Sequence, residues 1–376
     1  RAVSRRSSGT TTVPLQNAYV EYLVEVSVGT PPQKIQSQLD TGSSDLWFPT
    51  ASQCPDTTTC PYGYFTPSKS STFAEVAPNE FNITYGDGSG AIGDYFNDTL
   101  TIAGTTVKDF TMAVAREVTG EPVIGSVMGV SYPALDASNK GVTYPNYPQA
   151  LVNSGFINTV AYSLWLDDLA ANTGSILFAG VDKAKFCGAL EVVDVQPYQG
   201  GIYAFYVTLN SISYTTGSGT STIASTASLA LLDSGTSLTA VPQDVLQTIV
   251  SQFPTAQYDS QYSVYVVPCS AGQQAGHFTF TFGNKAIRVD LSEYVLQENE
   301  QGSCRLGFQA SPDDTYILGD TFLRSAYVVY DLVNNQIGLA SSSFNGGESD
   351  VVAFPSYGAH IPQLTGSCSS TTTTST

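Results

Sequence analysis

One segment of this chain is written twice. Gln38-Leu39-Asp40-Thr41-Gly42-Ser43-Ser44 returns in outline as Leu231-Leu232-Asp233-Ser234-Gly235-Thr236-Ser237. The two aspartates stand 193 residues apart in a chain of 376, about half its length. In each copy an apolar stretch delivers an Asp, and a small hydroxyl residue and a Gly follow at once. Glycine lets another backbone come close, and the hydroxyls can donate hydrogen bonds to carboxylate oxygens. A single segment of this kind is an ordinary strand-to-turn signal. Two copies in matching apolar context predict two similar lobes, each contributing one carboxylate to a shared pair. Carboxylates that meet cannot both ionise cheaply, so the pair holds one proton and titrates as a unit. The ionised member can take a proton from water while the protonated member donates to a carbonyl oxygen. That is general acid–base hydrolysis without a covalent intermediate.

The length allows about two domains and a large core. Short alternating runs at 19–28, 99–107, 204–209, 277–282 and 326–330, bounded by Gly, Pro, Asn and Asp, predict an all-β architecture. Helical spacing is confined to 145–154 and 242–253, with Pro242 expected in a first turn. From residue 345 onward no periodicity is sustained. Residues 368–376 are almost entirely Ser and Thr, the composition of an extended O-glycosylated stalk or of a disordered terminus. The basic cluster of Arg1, Arg5 and Arg6 reads as a processing remnant or as a solvated tail. The expected organisation is a tail at 1–13, a first lobe at 14–190, a second lobe at 191–345 and an extension at 346–376.

Composition narrows the function. With 32 acidic and 14 basic residues the net charge is −18, so nucleic acid is not an expected partner. No run of about 18 apolar residues occurs, so no transmembrane helix is expected. The six cysteines contain no C-x-x-C pair and H-E-x-x-H is absent, so no metal is expected. Gly88-Ser89-Gly90-Ala91-Ile92-Gly93 satisfies G-x-G-x-x-G, but a strand rather than a phosphate-binding helix follows it. G-x-S-x-G is absent, and His277 and His360 are not placed for a Ser-His-Asp hydrolase. A glycosidase also uses two carboxylates but does not call for the duplicated hydroxyl-Gly context. Two sequons, Asn82-Ile83-Thr84 and Asn97-Asp98-Thr99, with scarce lysine and an even cysteine set, point to a secreted glycoprotein modified at Asn82 and Asn97.

At this point the chain resembles the pepsin-like aspartic proteases over nearly all its folded length. Asp40-Thr41-Gly42-Ser43-Ser44-Asp45-Leu46-Trp47 and Asp233-Ser234-Gly235-Thr236-Ser237 are similar to the two catalytic motifs. Ile83-Thr84-Tyr85-Gly86-Asp87-Gly88-Ser89 resembles the flap hairpin. Ile317-Leu318-Gly319-Asp320-Thr321-Phe322-Leu323-Arg324 and Val127-Met128-Gly129 resemble the segments threaded behind the two aspartates, and Val28-Gly29-Thr30-Pro31-Pro32-Gln33 is a further hallmark.

The resemblance implies a bilobal fold of two β-barrel-like lobes with a central cleft, an acid-active endopeptidase acting on polypeptides, and no cofactor. Asp40 and Asp233 are then the dyad. Thr41, Gly42, Ser43, Ser234, Gly235 and Thr236 support it, and Tyr85, Gly86, Asp87 and Trp47 form the flap and substrate-binding side. Asp87 is similar to the residue of fungal enzymes that accept Lys or Arg at P1, and with the Ser/Thr tail it adds a likeness to the yapsins. The family implies Cys54–Cys60 and Cys269–Cys304. Cys187 and Cys368 depart from it; they are expected to pair with each other, the competing arrangement being a free thiol at Cys187. The expectations that follow are a zymogen-derived monomer, extracellular or attached at the cell surface through its C-terminal stalk, with an acidic vacuolar compartment as the alternative. A catalytically silent binding or inhibitory protein on the same fold is the alternative function.

Overall fold

The computed structural model of the chain describes residues 9–18, 21–120, 123, 125–141, 143–297 and 302–368, the side chains of Gln199 and Gln297 excepted. The basic cluster at Arg1, Arg5 and Arg6 and the Ser/Thr run at 369–376 lie outside the described residues. The protein is all-β and bilobal, with a 14-stranded sheet that begins at Ala74–Thr84 and ends at Thr365–Gly366. The second half adds a five-stranded sheet and two four-stranded ones.

Both lobes repeat one arrangement. Gln33–Asp40 pairs antiparallel with Tyr22–Val28 and parallel with Ser126–Gly129. Ser228–Leu232 pairs antiparallel with Tyr206–Leu209 and parallel with Tyr316–Leu318. Strand alternation then aims the chemistry. Ile35, Ser37 and Leu39 are buried in the first lobe, which turns Gln38 and Asp40 to the opposite face. Ala230 and Leu232 are buried in the second lobe, which turns Leu231 and Asp233 the same way. The segments 127–129 and 317–319 resembling the family's threaded strands are the parallel partners behind the two aspartates.

The lobes share their middle strands. Ala161–Trp165 from the first half pairs with Ala326–Asp331 from the second, which pairs in turn with Gln336–Ser342. Along Ala326–Asp331 the faces alternate. Val328 and Tyr330 join the main core with Tyr162, while Tyr327 and Val329 enter a second cluster with Phe354 and Ile361. The C-terminal segment supplies that second cluster. Val351–Ala353 pairs with Gly180–Asp182, Thr365–Gly366 pairs with Phe186–Asp194, and a disulfide joins Cys368 to Cys187. The other disulfides are Cys54–Cys60 and Cys269–Cys304.

The expected helices occur as Tyr147–Asn153 and Gln243–Val250. Pro242 is the N-cap of the second rather than a first-turn residue, with φ −51° and ψ 148°. The run read as one strand at 99–107 is two. Gly90–Ile102 turns at Ala103 and Gly104 and returns as Thr105–Thr119, because both turn residues adopt positive φ (46° and 80°) and fit a two-residue hairpin. Thr and aliphatic residues flank that turn on both sides, and a Gly preceded by Ala is a weaker turn signal than Asn-Gly or Asp-Gly. Among the described residues no helix is long and apolar enough to cross a membrane.

Candidate active site

Each aspartate sits where its strand ends and the backbone turns. Asp40 and Asp233 are 4% and 8% exposed, so both are held out of bulk water at the junction of the lobes. The support is the same in each lobe. Gly42 N–H donates to Asp40 Oδ1 at 2.7 Å, and Gly235 N–H donates to Asp233 Oδ1 at 2.9 Å. The Ser43 hydroxyl donates to Asp40 Oδ2, and the Thr236 hydroxyl donates to Asp233 Oδ2 at 2.7 Å. The lobes then clasp each other one residue further on. Thr41 Oγ1 donates to the carbonyl of Leu232 at 2.9 Å and accepts Ser234 N–H at 3.0 Å. Ser234 Oγ donates to the carbonyl of Leu39 at 2.8 Å and accepts Thr41 N–H at 3.2 Å.

The glycines are required by the approach. A Cβ at Gly42 would stand 2.8 Å from Oδ1 of Asp233, and one at Gly235 would overlap Oδ1 of Asp40. Only a residue without a side chain lets each turn reach the opposite carboxylate. Burial, and next the charge of Asp233, push the Asp40 carboxyl well above the usual carboxylate range. The Ser43 and Gly42 hydrogen bonds favour its ionised form but do not cancel that effect. The pair is therefore built to keep a proton.

The lobe of Asp40 also carries the hairpin of Ala74–Thr84 and Gly90–Ile102, whose tip residue Tyr85 feels the charge of Asp40. Its tip is a tight turn in which Tyr85 N–H donates to Ser89 O at 2.8 Å and Gly88 N–H to Tyr85 O at 3.0 Å. Trp47 Nε1 donates to the Tyr85 hydroxyl at 2.7 Å. An indole N–H can only donate, so the phenol accepts here and keeps its own proton for a further acceptor. Gly86 and Asp87 are exposed at the tip. Asp87 Oδ1 accepts the N–H and hydroxyl of Ser89 at 2.8 and 2.7 Å, and Oδ2 takes part in neither bond.

The structure brings Asp40, Asp233 and their six supporting residues into one cluster and joins Trp47 to Tyr85. Asn82 lies exposed on the hairpin's outer strand with its amide donating to Asn139 Oδ1 at 3.5 Å, and the Asn97 amide donates to Asp109 at 3.1 Å while its oxygen accepts the Thr111 hydroxyl at 2.9 Å. Among the described residues no group of three His, Cys, Asp or Glu side chains is arranged to hold a metal ion.

Sequence reasoning gave no role to four participants. Gln38 Nε2 donates to the carbonyl of Gly235 at 3.1 Å, a further tie between lobes, and its place two residues before Asp40 on one strand face was the available signal. Asp320 is fully buried behind the second aspartate, its carboxyl raised by burial. Asp45 and Asp136 form a second acidic pair beside the hairpin, for which spacing in the chain gave no sign.

Comparison with known proteins agrees with this geometry. Residues 21–342 match the eukaryotic aspartyl protease family. A probable aspartic-type endopeptidase, opsB of Aspergillus fumigatus, is 38% identical over 93% of this chain and 74% of that protein. An acid protease of Saccharomycopsis fibuligera is 37% identical over 92% of this chain and 86% of its own length. Yapsin-3, an aspartic proteinase of Saccharomyces cerevisiae, is 35% identical over 93% and 71%. The crystal structure of the aspartic proteinase from Irpex lacteus superposes with a TM-score of 0.75 at 22% identity, covering 91% of this chain and all of that one.

Proposed function

The chain belongs to the eukaryotic aspartyl protease family and is an aspartic endopeptidase, and from that premise we propose that Asp40 and Asp233 hydrolyse peptide bonds with the Tyr85 hairpin as substrate lid. The observation that carries the assignment is the paired support of the two carboxylates, with one N–H and one hydroxyl on each. The pair enters the reaction holding one proton, and its protonated carboxyl donates to the scissile carbonyl oxygen. The pair's remaining negative charge draws a proton from the attacking water. Carbonyl and water become a tetrahedral diol, and return of a proton to the amine lets the C–N bond break. Substrate lies extended in the cleft, its backbone pairing with the lid as an added strand.

The working pH is acidic, since the pair must hold one proton. Asp87 adds a charge-assisted contact for Lys or Arg at P1, with Oδ1 fixed by Ser89 and Oδ2 outside those two bonds, the atom left for a cation. We read the protein as a secreted monomer carrying a glycan at Asn82, with surface attachment through the C-terminal stalk.

Mapping of cuts in a mixed peptide library at pH about 4–5, in the acidic range where a coupled carboxylate pair keeps one proton, tests this reading. Cleavage is expected to vanish in Asp233→Asn protein. Cuts after Lys or Arg are expected to fall selectively in Asp87→Asn, with cuts between apolar residues kept. Folded protein that cuts nothing at acid pH would replace this reading with the silent binding protein.

A further inference from the structure

Beside the lid lies a second carboxylate pair that takes no part in the chemistry above. Asp45 lies within the first catalytic motif and is completely buried. Its Oδ1 accepts the hydroxyls of Tyr95 and Tyr144, each at 2.7 Å, and its Oδ2 accepts Ala137 N–H at 2.8 Å. Asp136 is the next residue back from Ala137. Its Oδ2 accepts Tyr144 N–H at 2.9 Å, while its Oδ1 is buried with no hydrogen-bond partner among the described residues. Tyr144 thus holds both acids, one by its backbone and one by its phenol.

The residues clipped by this pair brace the lid. Asn82 N–H donates to Ala137 O at 3.0 Å, and Asn139 N–H donates to Glu80 O at 2.8 Å. Lys140 Nζ pairs with Glu80 at 2.6 Å. Phe81, on the same lid strand, packs between Trp47 and Tyr95 with ring centroids 6.2 and 5.6 Å away. Tyr85 comes three residues after Asn82. We propose that Asp45 and Asp136 are positioning residues for the lid: while the pair keeps a proton it holds residues 136–140 against Ala74–Thr84, and loss of that proton loosens the contact. The inference rests on reading the Tyr85 hairpin as the lid.

The surroundings make the pair sensitive. The groups facing it are Tyr95 and Tyr144, the lid-tip Tyr85, and beyond that phenol Asp40. The nearby ammonium of Lys140 is taken by Glu80. Burial pushes Asp136 up to about 8 and the Asp45 charge adds to it; burial raises Asp45 as well. Ionising Asp136 sets a second negative charge beside a buried acid, and no cation among the described residues is bonded to either. The nearest relief is hydration of Asp136, which requires residues 136–140 to leave the lid strand. Because the folded state binds this proton more tightly than the unfolded chain, the contact is full below the ordinary Asp range and is lost as pH rises toward about 8.

Amide exchange of the full chain, corrected for intrinsic rates, measures the contact directly. Protection at Asn82 and Asn139 is expected to fall by about tenfold or more between pH about 4.5 and about 7, while protection at Val24 and Val26 holds. Asp136→Asn keeps an acceptor for Tyr144 N–H without a charge, so its protection stays within about threefold over that range. Asp136→Ala has no acceptor and is weakly protected throughout. In the peptidase assay, wild-type KM rises across the same range and that of Asp136→Asn does not, with one pH profile of kcat for both. Wild-type protection that is flat with pH overturns the proposal without any variant, as does Asp136→Asn protein that tracks the wild type. Loss of the peptidase reading would show instead as acid-pH inactivity of the wild type, leaving the exchange result to stand on its own.

Discussion

Thr41 and Ser234 each use one hydroxyl to satisfy two backbone groups of the opposite lobe. A hydroxyl has one donor and two acceptor sites, so these bonds are an efficient use of a small side chain. Thr41→Val keeps the shape but strands the Leu232 carbonyl and the Ser234 N–H in a buried interface. Each unsatisfied group costs about 1–3 kcal/mol, so a marked drop in the urea midpoint is expected, with Thr41→Ser restoring most of it. The double variant with Ser234→Ala should lose less than the sum, because the two hydroxyls share one network. Strict additivity would mean that the clasp is not a unit. Ser43 acts differently. Its hydroxyl stabilises the ionised form of Asp40, so Ser43→Ala raises that carboxyl further. The alkaline limb of kcat/KM, where the pair loses its last proton, should move to higher pH in a pH profile; movement to lower pH would contradict the assigned direction.

At the scale of elements, the sequence shows what is periodic or repeated and hides what depends on single anchors. The Asp-hydroxyl-Gly repeat announced the site because strand alternation fixes which face an Asp two residues beyond Leu231 or Gln38 must take. The lid tip was legible from its glycines, since Gly88 holds φ at 86°. The C-terminal segment was not. It packs through Phe354 and Ile361, separated by six residues of irregular chain, and no periodic pattern betrays two isolated anchors. Asp45 and Asp136 were unreadable for a similar reason, being 91 residues apart and joined only by the fold. The C-terminal segment nevertheless carries stability. Phe354 is fully buried against Val181, Phe186 and Tyr327 on the sheet face away from Tyr330 and Tyr162. Phe354→Ala is expected to cost about 3–5 kcal/mol by cavity formation, seen in denaturant unfolding, with KM and kcat of the surviving folded protein unchanged. An altered kcat with unaltered stability would show that this segment acts on the cleft instead.

For the molecule as a whole, the excess of acids and the places where they are buried set one pH dependence. Asp40, Asp45, Asp136, Asp320 and Asp331 all have carboxyls raised by burial. Each binds its proton more tightly folded than unfolded, so between the ordinary Asp value near 3.8 and about 8 the folded state holds more protons. Stability must then fall as pH rises through that window, the reverse of acid denaturation driven by salt-bridged carboxylates. Asp56 works the other way, lowered to about 2 by hydrogen bonds from Thr59 and Thr58. It is a single exposed group whose effect is confined below the window. A net charge of −18 strengthens the trend, because every carboxyl that ionises adds to self-repulsion while 14 basic residues cannot offset it. Calorimetry of inhibitor-free protein should therefore give a higher thermal midpoint near pH 4 than near pH 7. Burial also raises Glu21, Asp167 and Glu293, so five of these eight acids, Glu21, Asp40, Asp45, Asp136 and Asp167, lie in the first half of the chain. The loss should accordingly appear first in that lobe, as a separate early transition at neutral pH, and Asp136→Asn should reduce it. A midpoint that climbs from pH 4 to pH 7 would mean that these carboxyls ionise in the folded state as readily as in the unfolded chain, and the buried acids would need another explanation.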